Sequence, residues 1–209
     1  MAKLIGISGP QGSGKTTLLG ALNRIDDGIL VDDFKVSRSV QEELGWVSLM
    51  EHVQDDVHKM LHFQSRIIEL KAARDEHNLQ RTDADVIITD RTFIDIFVYT
   101  RIWMQKFLSN NPNRTNVTDD VLEKVITISK IGFKGQASYD GIIYVPFMNH
   151  VKWENDLNRA PEEHITTFED YAAEIMDAFK QIINTPTCFI TSKTVKDRAA
   201  ETINFIKTI

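Results

Sequence analysis

Cysteine is almost missing from this chain of 209 residues, with Cys188 alone. That excludes an intrachain disulfide framework and any zinc site built on cysteines. Proline is scarce, at 5 residues, and no low-complexity tract, internal repeat or interdomain linker breaks the sequence. No apolar run reaches the roughly 18 residues of a membrane helix, and Met1–Gly6 lacks the apolar stretch of a secretory leader. Positive charge is also short: 24 Lys and Arg stand against 30 Asp and Glu, a net charge of −6. Such a balance argues against a broad nucleic-acid-coating surface, though a local basic groove survives it. What the chain does have is an apolar content of 42%, enough to bury a sizeable core. The expectation is one soluble, cytoplasmic domain over residues 1–209 with no membrane partner.

Apolar periodicity divides that domain into alternating strands and helices. Lys3–Ser8 reads as a buried strand running into a glycine-rich turn, with a helix from Lys15 to about Arg24. Further strands are expected at Ile29–Val31, Val86–Thr89, Gly141–Val145 and Thr187–Ile190. Between them, spacings of three and four predict helices over Leu49–Leu79, Phe93–Leu108, from Thr118 to near Gly132, from Thr167 to Ile182, and around Val195–Ile206. The aromatic helix Phe93–Leu108 is read as core, with a homodimer face as the alternative. Residues 109–116 form a polar loop, and its sequons at Asn113 and Asn116 are read as loop composition. Strands alternating with helices imply a parallel sheet covered on both faces.

The turn itself is the strongest signal. Gly9-Pro10-Gln11-Gly12-Ser13-Gly14-Lys15-Thr16 fits G-x-x-x-x-G-K-[ST] between a strand and a helix. Its glycines let successive N–H groups turn toward a phosphate chain, and the helix N-terminus adds positive dipole. Lys15 is placed to reach the β- and γ-phosphates, the Thr16 hydroxyl to ligate Mg²⁺, and Thr17 to complete the contact to nucleotide. Asp90, where the third strand ends, is the expected acid for holding the metal. Its neighbour is Arg91, a phosphate clamp, where hydrolytic machines commonly place a second carboxylate. The Asp-x-x-Gly and Asn-Lys-x-Asp segments of GTPases are not found. Transfer to a bound acceptor is therefore favoured over hydrolysis. Thr191-Ser192-Lys193 is a loose match to a purine-contacting loop.

With Gly9–Thr16, Asp90-Arg91, Asp95, the segment Arg38–Gly45 and Asp156-Leu157-Asn158-Arg159, the sequence resembles the thymidylate kinase and deoxynucleoside kinase group of P-loop kinases. It is also similar to small phage-type and ribosylnicotinamide kinase-like ATP-binding proteins. The resemblance implies a three-layer α/β P-loop NTPase fold with a five-stranded parallel sheet in order 2-3-1-4-5. It further implies ATP and Mg²⁺ as cofactors, a nucleoside-like small-molecule acceptor, and an arginine-bearing lid over about residues 149–163. The sequence departs from the group after the second strand, where Asp32-Asp33-Phe34-Lys35 replaces a glutamate motif. Lys35 beside Asp33 favours an anionic acceptor.

The expected chemistry is γ-phosphoryl transfer to a nucleoside or nucleoside monophosphate. Lys15 and Arg159 would neutralise developing charge, and Asp33, with Asp32 as substitute, would orient the acceptor and take its proton. Arg38 and Arg91 would hold the acceptor or its phosphate, with Asp95 fixing the Arg91 fork. Two alternatives are a kinase acting on a hydroxyl of DNA or RNA along Arg66, Lys71, Arg74 and Arg81, and a non-catalytic ATP-sensing module. His52, His58 and His62 lack the spacing and third ligand of a metal site.

Overall fold

The computed structural model describes residues 2–25, 28–53, 56–80, 83–110, 118–147 and 164–209. Five parallel strands, β1 (Lys3–Ser8), β2 (Ile29–Asp32), β3 (Val86–Asp90), β4 (Gly141–Tyr144) and β5 (Thr187–Phe189), form one sheet in the order β2-β3-β1-β4-β5. The helices are α1 (Lys15–Leu22), α2 (Val36–Glu43), α3 (Leu49–Val53), α4 (Val57–Leu79), α5 (Phe93–Asn110), α6 (Asp119–Gln136), α7 (His164–Lys180) and α8 (Val195–Ile206). Sheet order and three-layer architecture are as the sequence led one to expect.

Side chains of a strand alternate between faces, and both faces here are buried. Ile5, Ile7 and Ile88 pack with Leu18, Leu19 and Leu22 of α1 and Ala199 of α8. Leu4 and Ile87 point the other way, into a cluster with Met60, Leu61, Ile68 and Phe93. A third cluster joins Ile94 and Val98 of α5 to Ile142 of β4 and Phe168 of α7. The aromatic helix α5 is thus core: Phe93, Trp103 and Phe107 are buried.

Two expectations about helices change. The helix read over Leu49–Leu79 is two helices, because the Asp56 carboxylate accepts hydrogen bonds from the N–H groups of His58 and Lys59 and starts α4 there. Helix α2 was not foreseen, since Val36 and Val40 are its only apolar residues and Val40 alone is buried. It stops at Gly45, whose φ of 68° is left-handed. The sheet order brings the carboxyl ends of β1, β2 and β3 side by side, which is where α/β sheets bind ligands.

Candidate active site

The cradle follows β1 directly. Gly9, Gly12 and Gly14 have φ of 139°, 82° and 93°, a region that side chains strongly disfavour. At Gly9 a Cβ would also lie 2.2 Å from the Val145 carbonyl oxygen. Gly14 is the N-cap of α1 and carries no capping side chain, so the first-turn N–H groups of α1 stay available to an anion. Lys15 folds back over the loop, its Nζ donating to the carbonyls of Gly9 at 2.7 Å and Pro10 at 2.5 Å. Burial, followed by the nearby Arg91, lowers its pKa to about 7, against the opposite pull of Asp95 and Asp90. From α8, Arg198 donates to the Ser13 carbonyl at 3.0 Å and to the Ser192 carbonyl at 2.9 Å, tying the cradle to the segment after β5. Glu201 holds the same segment by accepting from the N–H groups of Thr191 and Ser192.

Asp90 ends β3 facing Thr16 at the start of α1. Its Oδ2 accepts from Lys35 Nζ at 2.7 Å, and the same ammonium is 3.5 Å from the Thr16 hydroxyl. Its Oδ1 is buried without a hydrogen-bond partner among the described residues. A hydroxyl and an acid with an unmet acceptor, both turned toward a positive charge, fit a hard cation such as Mg²⁺. Sequence reasoning noticed Lys35 for its charge but did not bring it to Asp90. Asp32 pairs with Thr89 in the parallel register, so residues 33–35 run alongside the end of β3.

Arg91 has φ of 64°, the left-handed conformation that is uncommon for a residue with a side chain. Backbone strain of this kind persists where the surrounding structure enforces it, often at ligand sites. Its guanidinium is 3.3 Å from Asp95 Oδ1 and lies over the Tyr99 ring at 5.2 Å. Asp95 is fully buried and accepts as well from the N–H groups of Gly9 and Thr92 and from the Thr92 hydroxyl. One carboxylate therefore fixes both the first glycine of the cradle and the arginine opposite it.

The acceptor side departs further from the sequence reading. Asp32 is buried, and its two oxygens are taken by Arg74 Nε at 2.9 Å, Arg74 Nη2 at 3.0 Å and Asn78 Nδ2 at 2.5 Å. Burial alone would raise its pKa, but the hydrogen bonds from Arg74 and Asn78 outweigh it and hold the carboxyl below the usual range. Asp32 does not line the cleft, and neither does Asp33, which is exposed. Arg38 reaches the cleft from α2 and pairs with Glu42 at 3.0 Å.

A cleft of about 800 Å³ joins these parts. Gln11, Gly12, Gly14, Lys15, Thr16 and Thr17 line it from the glycine turn, and Asp90, Arg91 and Asp95 from the end of β3 and the start of α5. Phe34, Trp46, Phe63, Tyr99 and Trp103 supply aromatic walls, Tyr99 beside Arg91. Pro10 contributes its carbonyl to Lys15, and Ser13 is buried beneath the loop. The basic path considered for a polynucleotide is engaged internally. Lys71 is buried and bonded to Asp75 and Thr89, Arg74 to Asp32, and Arg66 to Glu43 and Glu69. Arg81, Arg159 and the lid expected at 149–163 lie outside the described residues.

A family model described as an AAA domain matches residues 4–198. No curated protein matches the sequence. Among solved structures, the chain is similar to NadR protein in complex with NAD and AMP-PNP, at 15% identity and a TM-score of 0.65. That match covers 100% of this chain and 50% of the NadR chain, so the present chain spans about half of that relative. It is likewise similar to thymidylate kinase from Candida albicans, at 15% identity and a TM-score of 0.64 over 99% of this chain and 92% of that one. Thymidylate kinase from Ehrlichia chaffeensis matches at 15% identity and a TM-score of 0.54, with 98% of both chains covered. Likeness at this level shows a shared fold.

Proposed function

The chain belongs to the AAA domain family, and from that premise we propose an ATP- and Mg²⁺-dependent kinase that passes the γ-phosphoryl group to a nucleoside or nucleoside monophosphate. The observation that carries this reading is one cleft lined both by the glycine turn with Lys15 and Thr16 and by aromatic and cationic side chains that the turn does not supply. Aromatic faces suit a planar base, and Arg38 and Arg91 suit an anionic group on the acceptor. A site for hydrolysis alone has no need of those aromatic and cationic walls.

In this reading the cradle N–H groups and the α1 dipole hold the phosphate tail of ATP. Lys15 exchanges the carbonyls of Gly9 and Pro10 for phosphate oxygens, regaining in anionic surroundings the charge that burial disfavours. Thr16 and Asp90 would hold Mg²⁺, which would supply positive charge to offset that of the phosphates. Arg91, braced by Asp95, faces the transferring group from the opposite wall. An acceptor phosphate is already ionised and needs no base, whereas an acceptor hydroxyl does; for that case we propose Asp33, which follows the pinned Asp32 and, being exposed, would have to turn inward to meet the acceptor. Asp32 instead braces the β2 end. Arg159 keeps the lid role implied by the kinase resemblance.

The test is incubation of the full chain with γ-labelled ATP and a panel of nucleosides, nucleoside monophosphates and oligonucleotides. Label on a nucleoside or monophosphate is the expected result. ATP binding with no labelled product would make the protein a sensing module, and label on oligonucleotides alone would move the acceptor to nucleic acid.

A further inference from the structure

Lys35 occupies an unusual place. Its ammonium touches Asp90 Oδ2 at 2.7 Å and stands 3.5 Å from Thr16 Oγ1, so it bridges the two side chains that would hold the divalent cation. The placement is prepared by the fold. Asp32 is pinned by Arg74 and Asn78 and accepts from the Phe34 N–H at 3.3 Å, which turns the chain over as it leaves β2. The Phe34 ring is then held against the Arg74 guanidinium at 4.7 Å. Lys35, next along, is the N-cap residue of α2 and returns across the end of β3.

A carboxylate as buried as Asp90 needs a compensating charge when no metal is bound. Lys35 supplies it, while Asp90 Oδ1 stays without a partner. An ammonium in hydrogen-bond contact and a divalent cation coordinated on the same carboxylate would repel one another and compete for the same space. The Lys35 side chain is 40% exposed, so it has room to swing out.

We propose that Lys35 is a placeholder for the divalent cation: its ammonium bridges Thr16 and Asp90 in the unloaded protein and must leave when the cation enters. The inference rests on the kinase reading for the position of the cation, and it adds a residue that sets how readily the site loads. Loading then carries a threshold that a cleft without Lys35 lacks.

The test measures Mn²⁺ binding to the full chain by electron paramagnetic resonance of the free ion, with AMP-PNP held below the protein concentration and the nucleotide's own Mn²⁺ binding subtracted from a protein-free control. Lys35→Met should bind Mn²⁺ at least about tenfold more tightly than wild type, since a competing cation is gone. Adding Asp90→Asn should remove that gain. Without nucleotide, Lys35→Met should melt below wild type and recover with millimolar Mg²⁺, whereas the wild-type midpoint should respond weakly. If Lys35→Met does not fold, Lys35→Gln, which keeps a donor for Asp90, carries the same expectation. Equal or weaker Mn²⁺ binding in the variant overturns the placeholder while leaving the kinase reading intact. Failure of wild type to bind Mn²⁺ with AMP-PNP overturns both.

Discussion

Asp32 and Arg74 meet along two edges, Nε to Oδ2 at 2.9 Å and Nη2 to Oδ1 at 3.0 Å, across the junction of β2 and α4. The pair fixes where the chain leaves the sheet and so places Phe34 and Lys35 at the cleft. Arg74→Ala should cost about 2 kcal/mol, because Asn78 and the Phe34 N–H still serve Asp32 and Arg74 is 38% exposed. The folded pKa of Asp32 is depressed, so its stabilisation is present above about pH 4 and lost as pH falls through the folded value. Denaturant unfolding at pH 7 and below pH 4 should show the gap between wild type and Arg74→Ala shrinking in acid.

Lys15→Ala should lower phosphoryl transfer by at least about 10²-fold, the scale of one lost transition-state donor. The thermal midpoint should stay nearly unchanged, since removing an ammonium that burial disfavours offsets the lost bonds to the Gly9 and Pro10 carbonyls. Steady-state kinetics beside a melting curve separates the two, and near-normal turnover would remove Lys15 from the chemistry.

Gly9→Ala combines an unfavourable φ of 139° with a Cβ 2.2 Å from the Val145 carbonyl. Strain of this kind costs about 1–3 kcal/mol before the clash is counted. The variant should be destabilised by more than about 2 kcal/mol in urea and should lose ATP binding, because the Gly9 N–H bond to Asp95 cannot survive the shift.

Arg91→Gly offers the opposite balance. Relief of the left-handed backbone gains about 1 kcal/mol, less than is lost when the fully buried Asp95 gives up its arginine and Tyr99 its cation. Asp95 retains the Gly9 and Thr92 donors. The net loss of stability should be limited to about 1–2 kcal/mol while transfer falls by about 10²-fold, measured by calorimetry and by turnover.

Arg198→Met removes a buried guanidinium from the Ser13 and Ser192 carbonyls and should cost about 2–3 kcal/mol. It should weaken ATP binding and leave the acceptor KM unchanged, because Arg198 is on the donor side of the cleft. An effect on the acceptor instead would redraw the division of the site.

How much of this was legible beforehand follows from how far apart the interacting groups are in the chain. The cradle is a run of consecutive residues whose geometry is local, so Gly9–Thr16 and its flanking strand and helix could be read directly. Apolar spacing likewise announced the strands, and alternation with helices announced a parallel sheet. Asp90 was identifiable because a strand end is a local feature. Lys35 bonded to Asp90 spans 55 positions, Asp32 bonded to Asn78 spans 46, and Arg198 bonded to Ser13 spans 185. Each of those contacts depends on strand register and on which helix lies against which edge, and none leaves a periodic trace in composition. Adjacent aspartates look alike in one dimension; only the β2–β3 pairing and the arrival of α4 decide that Asp32 is locked to Arg74 while Asp33 faces solvent. The chain alone determined the phosphate cradle, since backbone angles answer to neighbouring residues. The assignment of each distant charge to its partner came from packing, since a Coulomb or hydrogen-bond contact exists only once the fold has closed the distance.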